Sequence, residues 1–553
     1  MDEAMNTALR RISSSEIFRL AHQQREFLRF LVNRLNATSV DELKESVIGM
    51  EFFGRKAGYD PKADPIVRVE AHRLRRRLES FYRSEGARDP WRIVLGKGNY
   101  IPALQAATGA RADNILAVIV NSDDELTTLG MTAELVRRLG TLKDIRVLAA
   151  QSVHGAQGDV ATAIHELGAD LVLECCIKGA IIHAQLKRVK AEGLELIGSF
   201  DNQIQSARDM IEMFVASTLD PGRRGRSQKF WSQMDRETYQ IYLSGRGWFH
   251  RWSPDNLSKA MEHFEAVLNR YPSYAPAMAG LADCEVLRSY WYARETRKSL
   301  ENGFGWASKA LELDPDSSEA HCSLAACQIG LHHDWASAEH NFRIAVRQNP
   351  SYSLGHNWLS IICLVPLRRF DEAIDAVFEA YDLDPVSPEI GNEIVWVRIC
   401  CRQFAESADQ GRRMIAQHPN FIEAYWSLGL AESAQDNHVE ARHALQVAED
   451  LAPLIPHTIA WRGYAEARAG DRAAALRYLE RLDALANSQP VRPIHYAWIY
   501  AGLRENDPAL TYFEKALSEA DPFTLYADVF FLYSNLRSDE RFQRVRAVLC
   551  LPA

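Results

Sequence analysis

"AEHNFRIAVRQNP", residues 338–350, sets alanines at 338 and 345 around a phenylalanine at 342 and closes on Pro350. The same spacing returns as Ala373, Val377, Ala380 and Pro385, and again as Ala441, Leu445, Ala448 and Pro453. Small residues let two antiparallel helices approach closely, and the larger residue fills the gap between them. Proline then ends the second helix, because it lacks an N–H and clashes with the preceding turn. Prolines 315, 350, 385, 419 and 453, in "LELDP", "VRQNP", "YDLDP", "IAQHP" and "EDLAP", follow one another at 35, 35, 34 and 34 residues. Helix pairs of this kind bury their apolar faces only against their neighbours, which predicts a superhelix with a concave surface.

A 34-residue period resembles the tetratricopeptide repeat. Ala260, Phe264, Val267 and Pro272 begin the array and Ala509, Phe513 and Ala516 nearly close it, so the all-α repeat region is placed at 235–550. The repeat ending at Pro419 has Ser407, Gly411 and Met414 at the key positions, and a bend or register shift is expected there. Tryptophans 396, 426, 461 and 498 either fill the core between repeats or face a partner. The resemblance implies a protein partner held on the concave surface.

The 553 residues, 47% hydrophobic and 25% charged, are too many for one core and suit a soluble protein of about three globular units. The net charge of -9 is unevenly spread: residues 1–113 carry 20 Lys and Arg against 15 Asp and Glu, a balance of +5 that leaves -14 for the remainder. That asymmetry suggests a basic contact module on an acidic body. "MDEAMNTALRRISSSEIF" has no apolar core of signal-peptide length, and the chain has no run of about 18 apolar residues, so a cytoplasmic protein without a membrane segment is expected. All nine cysteines lie at or after Cys175 without CxxC or Cys/His ligand spacing, as in buried reduced thiols.

Between "QAATGARAD" (105–113) and "DPGRRGRSQK" (220–229), the segment 114–219 alternates apolar strands with amphipathic helices. "ILAVIV", "IRVLAA", "LVLECCIKG", "IIHAQLKRV" and "LELIGSF" read as strands; "LGMTAELVRRLGTL" and "DVATAIHELG" read as helices. This predicts an α/β sheet domain. "IVNSDDELTTLG" after the first strand lacks both GxGxxG and GxxxxGK[ST], so a nucleotide site is not supported. The order resembles the TolB-like or FlgO-like domain of bacterial multidomain regulators, with Cys175 and Cys176 where that family usually has a glycine.

In "VRVEAHRLRRRLESFYRSEG" (67–86), Val67, Ala71, Leu74, Leu78 and Phe81 fall on one helical stripe, after Asp64 as cap and Pro65 in the first turn. The opposite side carries Arg68, Val69, His72, Arg73 and Arg76, with Arg75 and Arg77 flanking the stripe. Upstream, "SEIFRLAHQQREFLRFLVNRLNA" and "DELKESVIGMEFFG" read as helices, the second capped by Asp41; downstream, "RIVLGKGNYIPAL" (92–104) bends at Gly96-Lys97-Gly98 into a hairpin. Helix, helix, basic helix and hairpin over 13–104 predict an α+β winged helix-turn-helix.

"VRVEAHRLRRRL" followed by "IVLGKGNYIPAL" resembles the recognition helix and wing of the OmpR/PhoB-type winged helix, in a bacterial subfamily that joins this module to TolB-like and tetratricopeptide domains. The resemblance implies double-stranded DNA as partner, with Arg68, His72, Arg73, Arg75, Arg76, Arg77 and Lys97 as the contact set. Arg73 and Arg76 would reach bases or phosphates, since a planar guanidinium pairs bidentately with either. His72 is equally a plain helix-surface residue. The multidomain reading is then a sequence-specific transcriptional regulator, with a homodimer through a sheet edge as an expected arrangement. Its alternatives are a tetratricopeptide scaffold or adaptor that does not bind DNA, and a non-catalytic relative of repeat-linked nucleotide cyclases. No catalytic order or cofactor motif stands out, so no enzyme activity, cofactor or metal is expected. His332, His333 and Asp334 read as a polar inter-helix turn rather than a metal site.

Overall fold

The computed structural model describes residues 2–15, 18, 21–37, 44–55, 66–83, 86, 91–96, 100–106, 114–142, 145–148, 169–190, 193–204, 211–212, 214–215, 218–219, 234–251, 253–291, 296–385 and 387–551. They form two compact units, Met1–Asp113 with Cys401–Gln403, and Asn114–Cys400 with Phe404–Ala553.

In the first unit, helices α1 (Asp2–Ser14), α2 (His22–Ala37), α3 (Glu45–Glu51) and α4 (Ile66–Arg83) precede an antiparallel hairpin of β1 (Trp91–Leu95) and β2 (Pro102–Ala106). Val67, Ala71, Leu74, Leu78 and Phe81 of α4 are all buried, so the stripe that the sequence predicts does face the core. Phe27, Leu28 and Leu31 of α2 join them, and Phe27 stacks on Phe52 at 5.0 Å. Helix α1, which the sequence reading leaves out, adds Met5, Leu9 and Ile12 to the same core. The Asp41 and Asp64 caps, Pro65 and the hairpin tip with Lys97 lie outside the described residues.

The second unit opens with β3 (Asn114–Asn121), α5 (Glu125–Leu139), β4 (Ile145–Val147), β5 (Leu171–Lys178), β6 (Ile181–Lys190) and β7 (Gly193–Gln203). The five predicted strands form one sheet in the order β4-β3-β5-β6-β7. Strand β3 is parallel to β4 and β5, while β5, β6 and β7 run antiparallel in series. The pattern follows exposure: Ile115 to Val120 are buried on both faces, whereas along β6 Ile182, Ala184 and Leu186 point inward and His183 and Gln185 outward. Gly179, at φ +61°, makes the tight turn between β5 and β6. The helix expected at 159–168 and the linkers at 107–113 and 220–229 lie outside the described residues.

Eight antiparallel helix pairs follow among the described residues. They are α6 (Arg236–Phe249) with α7 (Pro254–Arg270), α8 (Ala275–Trp291) with α9 (Thr296–Leu313), α10 (Ser318–His332) with α11 (Trp335–Gln348), and α12 (Ser353–Trp358) with α13 (Phe370–Leu383). Then come α14 (Pro388–Cys400) with α15 (Phe404–Gln417), α16 (Ile422–Ala434) with α17 (His438–Leu451), α18 (Pro456–Arg468) with α19 (Arg472–Ala486), and α20 (Pro493–Gly502) with α21 (Asn506–Ser518). Pro315, Pro350, Pro385, Pro419 and Pro453 each stand two residues past the end of a second helix. The alanines and larger residues of the spacing, from Ala260 and Phe264 to Phe513 and Ala516, are all buried.

The expected irregularity falls elsewhere. Helix α15 runs unbroken with Ser407, Gly411 and Met414 buried, and the Ser407 hydroxyl donates to the Val395 carbonyl at 3.0 Å. Instead α12 passes into a π-helical stretch, Leu359–Leu364, where the Ser360 hydroxyl reaches the Ala373 carbonyl of the paired helix at 2.6 Å. The turn between the helices of a pair holds its own period: His333, Arg368, Arg402, Asp436, Gly470 and Arg504 all have φ between 53° and 84°. His333 is such a turn residue and Asp334 caps α11 through the Ser337 N–H at 3.1 Å, so these residues do make an inter-helix turn.

The sequence separates 114–219 from 235–550, yet the sheet layer and the array pack as one body. Helices α5 and α6 cross where neither can carry a side chain: a Cβ on Gly130 would lie 1.9 Å from the Leu243 carbonyl oxygen, and one on Gly247 2.8 Å from that of Leu126. At the crossing, Arg137 grips the buried Glu134 with two bonds of 2.7 and 2.9 Å, and the Tyr242 hydroxyl donates to Glu134 at 3.0 Å. Strand β4 is tied to the array by the Val147 N–H on the Ser351 hydroxyl at 3.0 Å and by an Arg146–Glu379 pair. At the far end, α22 (Glu540–Val548) returns to the middle of the array, where the Trp335 indole N–H donates to the Leu549 carbonyl at 2.8 Å.

Candidate interaction groove

The first helices of successive pairs form the inner face of the array. Trp396 on α14, Trp426 on α16, Trp461 on α18 and Trp498 on α20 all point into it and are buried. Trp461 and Trp498 stack with centroids 3.8 Å apart, and Trp426 stacks on His457 at 5.6 Å. Part of this face is covered by the chain's own C-terminal segment, two 3-10 turns at Pro522–Tyr526 and Phe531–Tyr533. Asp521 caps the first turn through the Phe523 N–H at 3.0 Å and faces Arg492 at 3.3 Å. Phe530 lies 4.8 Å from Trp396, Phe523 5.2 Å from Trp498, and Tyr526 donates to the Ile361 carbonyl at 2.9 Å. The tryptophans therefore fill a core, but one built against a peptide-like segment and not only between repeats.

Beside that segment the inner face keeps a cavity of about 60 Å³, room for a few water-sized groups. Its walls include Trp396, Trp426, Trp461, Tyr290 and Tyr526, and its polar floor is Asn392, Glu393 and Glu423. Among the described residues no Lys, Arg or His forms an ion pair with Glu393 or Glu423, and the buried Oδ1 of Asn392 has no hydrogen-bond partner. Burial and the facing Glu423 push the Glu393 carboxyl up to about 8, and burial pushes Glu423 up to about 7. The adjoining His457 contacts His495 at 3.3 Å and Arg492 at 3.1 Å, and burial beside that guanidinium drives both imidazoles well below their ordinary value.

A second cavity, also of about 60 Å³, lies where α5 meets the array, lined by Arg137, Arg246, His250, Asp283, Glu319 and Tyr352 among others. Arg137 reaches Glu319 at 3.5 Å across it, and the Ser323 hydroxyl donates to Asp283. Burial raises the Asp283 carboxyl to about 7 and lowers the His250 imidazole to about 3. This network reads as the lock between sheet layer and array.

The arginines singled out on α4 divide. Arg68 pairs with Glu45 at 2.8 Å, and Arg73 pairs with the buried Glu70, which also accepts from Gln24 at 2.8 Å. Arg75 donates to the carbonyls of Leu95 at 2.9 Å and Gly96 at 3.0 Å, tying the helix to the hairpin. Arg77 is half-buried, and burial next to Arg73 lowers its pKa. The side chains of His72 and Arg76, and all of Lys97, lie outside the described residues. Three of the seven residues thus hold their own fold together, which helical spacing alone does not disclose. Among the described residues no cluster of His, Cys, Asp and Glu could hold a metal, and no helix is long and apolar enough to cross a membrane.

No family model matches the chain, and no curated protein matches it. Among solved structures it is similar to PilF of Pseudomonas aeruginosa, at 18% identity over 38% of this chain and 95% of that one, with a TM-score of 0.29. Yeast Tom70 is 13% identical over 62% of this chain and 72% of that one, with a TM-score of 0.38. YrrB, described as a tetratricopeptide protein with an unusual peptide-binding site, is 18% identical over 39% of this chain and 97% of that one, with a TM-score of 0.25. The tetratricopeptide-type repeat of this chain rests on its own helix pairs, prolines and buried alanines.

Proposed function

We propose that this protein is a scaffold that binds a partner protein on the inner face of its helical array. The observation that carries this reading is that the groove already holds an aromatic peptide-like segment, Pro522–Tyr533, against Trp396, Trp461 and Trp498. Aromatic rings supply large contact area at small entropic cost, as binding hot spots do. A photo-crosslinking residue at Leu430, which lines the groove cavity, tests it against one at the exposed Arg477 on α19. A partner peptide crosslinked from position 430 and not from 477 supports the scaffold; equal capture at both removes it.

A second reading, DNA binding by the basic N-terminal unit in a transcriptional regulator, draws support from α4, whose apolar stripe docks fully while the unit carries a net +5 and ends in a hairpin. Affinity of this origin falls steeply with salt. Loss of duplex binding in Arg76→Ala, with that salt dependence in the parent, is its test; binding indifferent to both ends it. A homodimer through a sheet edge is the third element of the proposal. Strand β7 lies at the edge of the sheet among the described strands, with Leu194 and Leu196 exposed, and light scattering that gives one chain mass removes it.

A further inference from the structure

The groove cavity combines two features that have separate explanations only if nothing enters it. Aromatic walls alone would make an apolar slot, and a carboxylate pair alone would be repelled from such a slot into solvent. Here Glu393 on α14 and Glu423 on α16 are directed into the slot made by Trp396, Trp426, Trp461, Tyr290 and Tyr526. Neither has a cation partner among the described residues, and the neighbouring Asn392 Oδ1 is buried without a donor. A carboxylate turned into a partly buried aromatic slot without a counter-ion is disfavoured unless it is protonated or a cation arrives. The quadrupoles of the indole and phenol rings favour the same kind of visitor, since a cation over an aromatic face is attracted, most of all when desolvated.

We propose that this cavity binds an organic cation, an alkylammonium or guanidinium head seated among the tryptophans with its charge against Glu393 and Glu423. The buried Asn392 oxygen accepts one of its N–H groups. The cation comes either as a free small amine or as the Lys or Arg side chain of a groove-bound peptide, and in the second case the inference rests on the scaffold reading above.

Binding is linked to protons. With Glu393 near 8 and Glu423 near 7, the pair is largely protonated at neutral pH and releases protons as the cation enters. The groups that face the pair are Tyr290 of α8, Glu389 at the start of α14, His457 of α18 with Arg492 behind it, and Asp521 and Tyr526 of the C-terminal segment. Burial holds both tyrosines above their ordinary value and His457 below its own, so the carboxylates alone change charge between pH 6 and about 9.

The test is isothermal titration of the full chain with n-butylammonium, tetramethylammonium and guanidinium, in buffers of different ionisation heat across that pH range. Saturable binding that tightens with rising pH, releases protons, and weakens by about tenfold or more in Glu393→Gln is expected. Circular dichroism of Glu393→Gln confirms that the fold persists. Absence of saturable binding by all three probes, or binding that Glu393→Gln and Glu423→Gln leave unchanged, overturns the inference. A lysine-bearing peptide recovered from the crosslink at position 430 separates the sources. Loss of its affinity on Lys→norleucine assigns the cation to the partner, and butylammonium binding without any such peptide assigns it to a free amine. A groove crosslink with no cation binding removes this inference and leaves the scaffold; cation binding with no groove crosslink does the reverse.

Discussion

The hydroxyl of Tyr242, on the first helix of the repeat array, donates a 3.0 Å hydrogen bond to the carboxylate of Glu134, on the helix that covers the sheet. Both groups are buried, and Glu134 is also gripped by Arg137. A hydrogen bond to a charged, buried acceptor contributes about 1.5–3 kcal/mol. Tyr242→Phe is expected to lower stability by about that amount, while Glu134→Gln costs more because it also takes from Arg137 the closer of its two carboxylate partners. Chemical denaturation of the two single variants and the double variant measures this, and additive losses would show that the pair is not in contact.

Gly130 and Gly305 are both helical glycines with opposite expected responses to alanine. A Cβ at 130 meets the Leu243 carbonyl oxygen at 1.9 Å, whereas one at 305 meets nothing within 4 Å. Gly130→Ala should destabilise by about 1–3 kcal/mol or more and split thermal unfolding into separate sheet-layer and array transitions. Gly305→Ala should stabilise by about 0.5–1 kcal/mol through helix propensity. Calorimetry that shows one unchanged transition for Gly130→Ala contradicts the crossing described here.

Of the six left-handed turn residues only the one at 470 is glycine; at 504 it is arginine, with φ 59° and an exposed side chain. An L-residue in that region is held at a cost of about 1 kcal/mol or more. Arg504→Gly is therefore expected to raise stability by about 0.5–1 kcal/mol, and Gly470→Ala to lower it by a similar amount. Opposite shifts in thermal midpoint check both signs.

Stability should plateau over acidic pH and fall on either side. His250, His457 and His495 are held below their ordinary value in the fold, so the unfolded chain takes up their protons first and stability is lost as pH drops below about 6.5. Asp283, Glu393 and Glu423 are held above theirs, near 7, 8 and 7, so stability is lost as pH rises from about 4 towards 8. The two trends oppose one another between about pH 4.5 and 6.5, which leaves the contribution of these six groups nearly flat there. Glu393→Gln mimics the protonated carboxyl and should shrink the alkaline decline without touching the acidic one. Urea midpoints measured across pH 4–9 decide it.

The array was legible from its prolines and alanines because those residues act through short-range geometry, a helix stop and a close approach, which sequence spacing records directly. The five strands and the apolar stripe of α4 were legible for the same reason. What the sequence did not disclose depends on distant residues meeting. Nothing in the helical spacing singles out Glu393 or Glu423, and only the packing of α14 beside α16 places them in one slot. Residues 522–533, aromatic without a helical period, gave no sign that they fold back onto the inner face. Arg75, which helical spacing places beside the apolar stripe, showed no acceptors in the sequence until the hairpin carbonyls supplied them.

A helical solenoid is open-ended, and units can ordinarily be gained or lost at little cost to the rest. The bond from Trp335 to the carbonyl of Leu549 removes that freedom, because it joins positions 214 residues apart along the stack. One unit more or fewer between them would carry the C-terminal helix past its acceptor geometry and lift the aromatic segment from the inner face. The number of repeats in this chain is thereby fixed by a ruler of its own making.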